Sequence, residues 1–145
     1  MNTPVGTSGR SDRTTLAARL GFVQGQIVQE LGWEEDVDNA VRFAIEDVVG
    51  SELEDEDYSG AADGVLLWWR DGDGDLADGL VDAVTNLDES GFICLLTPRP
   101  GSPDAVPVSD VDEAAKTAGL SACCAMAAGE DWAAMRLVAP KHGRR

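Results

Sequence analysis

Five consecutive apolar residues, Val65 to Trp69 (VLLWW), constrain this chain more than any other feature. A half-buried strand alternates apolar and polar side chains. A run that never alternates, too short for a buried helix, fits a strand covered on both faces. Such strands belong to parallel sheets flanked by helices. A second run of the same kind, Phe92 to Thr97, starts after Gly91.

The segments between and around these runs have helical spacing. Asp36 to Val49 places Val37, Ala40, Val41, Ala44, Ile45 and Val48 on one face, and Gly50 stops it. Leu76 to Leu87 places Leu76, Leu80, Val81, Val84 and Leu87 together, with Asp75 as its cap. Ser109 is placed to cap a third helix, Asp110 to Ala118. Gln26 to Leu31 reads as a first strand, Thr14 to Leu20 as a short helix, and the acidic stretch 51–60 as room for one short edge strand. The strands Ser121–Ala127 and Ala133–Val138 are joined by a short turn, which predicts an antiparallel hairpin. The expected fold is therefore Rossmann-like α/β: a mostly parallel sheet with helices on both faces and a C-terminal antiparallel strand pair. The 145 residues suit one domain, expected over 14–140, between a disordered tail at 1–13 and a basic tail at 141–145.

Charge narrows the partners. From Leu20 to Pro140 there are 26 acids against five bases, a body charge of −21. A body of that sign repels nucleic acid and steers basic proteins. The N-terminus lacks an apolar secretory stretch and no run is long enough to span a bilayer, so the expected location is the cytoplasm. There, Cys94, Cys123 and Cys124 are expected as reduced thiols. A thiol-based redox sensor is one alternative for them.

Candidate chemistry is sparse. The one histidine, His142, lies in the basic tail, so no Ser/His or Cys/His nucleophile system is expected. Asp71, Asp73 and Asp75 alternate as in a calcium loop. However, the sixth position is Leu76 rather than glycine, which leaves only weak metal association. In open α/β sheets, ligands bind beyond the carboxyl ends of the strands. That edge would collect Glu30, Gly32, Trp33, Trp69, Arg70 and Arg99, with the two tryptophans flanking a planar ligand and the arginines holding an anion.

From Asp63 to Val138 the order of strands, helices and turns resembles the class I methyltransferase fold. Glu30 and Gly32 match the acid and first glycine of that family's cofactor loop, but its second and third glycines are replaced by Glu34 and Asp36. Carboxylates there would oppose the carboxylate end of S-adenosylmethionine. The resemblance thus implies the scaffold and no bound cofactor. Over most of its length, including Val65–Leu76 (VLLWWRDGDGDL) and Met135–Lys141 (MRLVAPK), the chain also resembles an actinobacterial family known only as a domain of unknown function, number three thousand and fifty-two. The expected role is a non-catalytic binding or regulatory module on a degenerate methyltransferase-like scaffold. The alternative is a small-molecule sensor or enzyme using the strand-end cleft.

Overall fold

A computed structural model describes residues 16–139; the expected tails lie outside them. The elements are β1 (Val28–Leu31), α1 (Asn39–Val49), β2 (Ala62–Trp68), α2 (Leu76–Val84), β3 (Leu87–Pro98), α3 (Val108–Thr117), β4 (Ser121–Ala128) and β5 (Trp132–Val138). Residues 16–20 add a helical turn ahead of β1. The five strands form one sheet in the order β1-β2-β3-β5-β4. The first three are parallel, and β5 runs antiparallel to both β3 and β4. This is the α/β arrangement expected, closed by the hairpin. No helix among the described residues is long and apolar enough to cross a membrane.

The apolar runs make two cores because alternate residues of a strand face opposite sides. Leu66, Trp68, Phe92, Cys94 and Leu96 pack with Val41, Ile45 and Val49 of α1. Val65, Leu67, Ile93 and Leu95 pack with Leu76 and Leu80 of α2 and with Val111 and Ala115 of α3.

The acidic stretch explains why α1 and α2 lie on opposite faces. It holds no full strand, but Glu54 makes a single parallel bridge to Gln29 on the outer side of β1. The Glu30 N–H donates to the Glu54 carbonyl at 2.8 Å, and the Glu54 N–H donates to the Val28 carbonyl at 2.8 Å. The chain therefore leaves β1 through α1 in one direction and then crosses back to β2 on the other side. One hand of crossover puts helices on opposite faces when the direction reverses. The reversal falls between β1 and β2, where a ligand crevice is expected in such sheets.

Several local expectations shift. β1 starts at Val28 rather than Gln26, because the Gln26 side chain accepts from Val23 N–H in the preceding turn. Ser109 is not the cap of α3. The helix begins at Val108, Pro107 occupies the cap position with φ −57°, and no side chain caps it. A proline suits that start because it has no N–H to leave unsatisfied. Val81 is 48% exposed, and Ala83 takes its core place. Counting from Leu76, the same helix face returns at Leu80 and Ala83, four and seven residues on. The Asp75 cap is present, its carboxylate accepting from Ala77 N–H at 3.0 Å.

Candidate strand-end site

The site is built where β1 and β2 end. Gly32 follows β1 with φ +80°, and its backbone passes so close to β2 that a Cβ there would sit 2.3 Å from the Trp68 carbonyl oxygen. Only glycine fits that approach and that dihedral. The turn aims the following residues, Trp33 to Asp36, back over the end of the sheet.

Arg70, just past β2, reaches into this turn and is 6% exposed. Its Nε donates to Asp36 Oδ2 at 3.0 Å, and its Nη2 donates to Asp36 Oδ1. Its Nη1 donates to the Gly32 carbonyl at 2.9 Å and to Asp73 Oδ2 at 3.3 Å. Glu34 Oε2 lies 3.8 Å away. The guanidinium also rests 5.3 Å from the centroid of the Trp132 ring. Trp132 Nε1–H donates to the Asp36 carbonyl at 3.2 Å, so the same ring anchors both partners. Burial by itself would lower the pKa of Arg70. The hydrogen bond and charge of Asp36, with Asp73 and Glu34, outweigh burial and raise it. The hydrogen bond from Arg70 in turn holds the Asp36 carboxyl below its ordinary range.

Glu30 is likewise committed to the protein. Arg42 Nε and Nη2 donate to its two oxygens at 2.7 and 2.8 Å, and Trp68 Nε1–H donates to Oε2 at 2.8 Å. The hydrogen bond to Glu30 raises the pKa of Arg42. The Gly32 N–H of the same turn donates to Glu56 Oε2 at 3.2 Å. Both backbone polar groups of Gly32 are thus satisfied from within the chain.

Of the residues expected at the strand ends, the structure brings Glu30, Gly32, Trp33 and Arg70 to one place. Arg99 is exposed beyond β3, its N–H bonded to the Asp131 carbonyl at 2.9 Å, and takes no part in the Arg70 network. The two tryptophans do not flank one ligand. Trp33 lines a cleft of about 480 Å³ with Glu30, Arg42, Asp55, Glu56 and Asp57. Trp69 lines a separate one of about 430 Å³ with Leu31, Gly32, Leu67, Gly79 and Asp82. Strand alternation is the cause: Trp68 points to the α1 side, so Trp69 points to the α2 side. Helix α2 makes room for it with Gly79, where a Cβ would fall 2.5 Å from the indole.

Asp71, Asp73 and Asp75 do not converge. Asp73 binds Arg70, Asp75 caps α2, and Asp71 N–H bonds the Asp104 carbonyl at 2.9 Å. Among the described residues no group of three or more His, Cys, Asp or Glu is arranged to hold a metal ion.

Cys94 is fully buried, and burial pushes its thiol up to about 12, with only a small opposing pull from Arg136. β5 separates β3 from β4, so Cys94 and Cys123 lie two strands apart, about 10 Å. That span is too wide for a disulfide. Iodoacetamide at pH 8 should leave Cys94 unmodified in the native protein and label it after denaturation, as read by peptide mass spectrometry. Labelling of the native protein would show that the strand opens readily.

Sequence reasoning missed Asp36 and Trp132 as partners of Arg70, and Arg42 and Trp68 as partners of Glu30. One signal was available: with five bases against 26 acids between Leu20 and Pro140, any arginine folded inward will meet carboxylates.

Comparison with known proteins agrees with this fold. A family described as "Protein of unknown function (DUF3052)" matches residues 17–141. Uncharacterized proteins of Mycobacterium tuberculosis and Mycobacterium bovis are 50% identical over 128 residues, covering 88% of this chain and 80% of theirs. Among solved structures, an O-methyltransferase from neocarzinostatin biosynthesis is similar with a TM-score of 0.63 at 13% identity. The match covers 94% of this chain but only 58% of that enzyme. A precorrin-6y C5,15-methyltransferase from Geobacter metallireducens is similar with a TM-score of 0.57 at 10% identity, over 90% of this chain and 87% of its own. At these identities the likeness is one of fold.

Proposed function

Because the chain belongs to the DUF3052 family, whose description names no activity, we propose its role from the site itself: a non-catalytic binding module on a methyltransferase-like scaffold. One observation carries this reading. The turn that would face a cofactor is filled by the protein's own groups, with Arg70 on the Gly32 carbonyl and Glu56 on the Gly32 N–H. A ligand entering there would have to displace a guanidinium bonded to Asp36 and Asp73. It would gain contacts only after those were lost, and the lost contacts are charge-assisted bonds of the stronger kind. The acidic body supports a basic protein as the partner, because complementary charge raises the encounter rate and disfavours acidic competitors.

A second reading has its own observation. The cleft lined by Leu31, Leu67, Trp69 and Gly79, with Glu56, Asp82 and Asn86 at its polar side, lies at the ends of β1 and β2, where α/β sheets take small molecules. Thermal melting against a panel of nucleotides and methyl donors separates the two. A ligand at 100 times its dissociation constant adds about 2.7 kcal/mol. For a chain of this size that is a shift of roughly 10 °C. A binding module with a filled turn should show no shift for any panel member. A saturable shift with one of them favours the small-molecule reading.

A further inference from the structure

The exposed face of the same turn has a feature that the filled interior does not explain. Trp33 is 50% exposed although it is held beside a buried network. Burying an indole is among the larger gains available to a surface, so a tryptophan left half in water at the wall of a cleft marks a contact point. The cleft it lines, about 480 Å³, is closed on the other side by Asp55, Glu56 and Asp57, all exposed. Arg42 also lines it, but both its side-chain ends are spent: Nε and Nη2 on Glu30 and Nη1 on Asn39. The Glu30 and Arg42 charges cancel, and the three carboxylates give the cleft its sign.

We propose that this cleft is the docking point for a basic segment of a partner protein. An arginine or lysine of that segment would lie over the Trp33 ring while its charge meets Asp55 and Asp57. The chemistry is that of a cation on an aromatic face with carboxylates at its edge. The body charge of −21 gives the long-range complementarity. The turn is also pre-formed. Arg70 ties Gly32, just before Trp33, and Asp36, three residues after it, to β2 and to Asp73, so little ordering remains to be done on binding. This proposal rests on the reading of the chain as a module for a basic partner and adds its place.

The test is calorimetric titration of the full chain with a hexa-arginine peptide at about 50 mM salt, where surface electrostatics act at long range. Saturable binding that weakens steeply with added salt is expected. Trp33→Ala should weaken it by about tenfold or more, as removal of a central aromatic anchor does. Asp57→Asn should weaken it, while Asp112→Asn, which removes the same charge from α3, should leave it unchanged. Trp33 lies outside both cores, so its variant should melt with the wild type, and Asp57→Asn tests the cleft independently. Equal affinity for wild type, Trp33→Ala and Asp57→Asn would overturn the cleft as the docking point while the acidic body remained the binder. Absence of binding by the wild type would remove the basic-partner reading and this proposal with it.

Discussion

Arg70→Ala is expected to lower the melting temperature by about 10 °C, a loss of roughly 3 kcal/mol. The mechanism has three parts. The Gly32 carbonyl loses its partner beneath the turn, the face of Trp132 is uncovered, and Asp36, Asp73 and Glu34 are left near one another without a counter-charge. Breaking a fully buried pair from one side costs about 3 to 5 kcal/mol. The low end applies because the Asp36 and Glu34 side chains are 52% and 62% exposed, and water stabilises them after the cation is gone. Arg70→Lys should recover only part of the loss, since an ammonium keeps the charge but not the planar fork that spans Asp36 and Gly32.

The pH dependence has a definite sign. Pairing holds the Asp36 carboxyl below its ordinary 3.8. Its share of the stability is therefore present above the ordinary value and is lost as the pH falls through the lowered one. The gap between wild type and Arg70→Ala should narrow on acidification. Circular dichroism melts at neutral pH and in acid check both statements. A variant melting within about 2 °C of wild type at neutral pH, less than the smallest shift expected of a 1 kcal/mol loss, would mean that Arg70 does not hold the turn.

Gly32→Ala should be worse. A left-handed dihedral costs an ordinary residue roughly 1–2 kcal/mol, and here the new methyl would also lie 2.3 Å from the Trp68 carbonyl oxygen. β2 is held between β1 and β3 in the sheet, so it has little room to move away. The expected loss exceeds about 4 kcal/mol, at the exceptional end for a single substitution. Gly25→Ala is the control. It has φ +93° and no heavy atom within 4 Å of where the new methyl would stand, so it carries the dihedral cost alone. The difference in urea midpoint between the two variants isolates the close approach. If Gly32→Ala fails to yield soluble protein while Gly25→Ala folds, the steric reading stands. Equal midpoints would refute it. The pair of variants also bears on function, because the glycine is then accounted for by the fold's own backbone with no ligand needed.

The architecture was legible because apolar runs are a local signal. Val65 to Trp69 and Phe92 to Thr97 report burial on both faces with no information from elsewhere in the chain. Helices α1 and α2 were legible from spacing, but the second was run on to Leu87, which instead opens β3 five residues before the expected Phe92, and the error at Val81 came from extending the stripe one residue off its true face. The missed start of α3 has a different cause. Ser109 has the right chemistry for a cap, but Pro107 fixes the backbone two residues earlier. The Glu54 bridge was beyond reach, since a single pair of backbone bonds leaves no pattern in side chains.

The site was legible as a set of residues and not as a set of partnerships. Glu30, Gly32, Trp33 and Arg70 follow from the rule that strand ends gather function. That Arg70 would turn inward onto Asp36, 34 residues away, and under Trp132, is a matter of tertiary packing. Abundant acids made the partner of any one arginine anonymous. Of the two residues that stand where the loop glycines would be, Asp36 is the carboxylate that engages Arg70 most fully.

The most direct test of a turn filled by its own residues is calorimetric titration of the wild-type chain with S-adenosylmethionine. No saturable heat is expected, because Arg70, Glu56 and Asp36 hold the groups a cofactor would need. Saturable binding in the micromolar range would contradict the filled turn, and would show that the Arg70 network opens to admit a ligand.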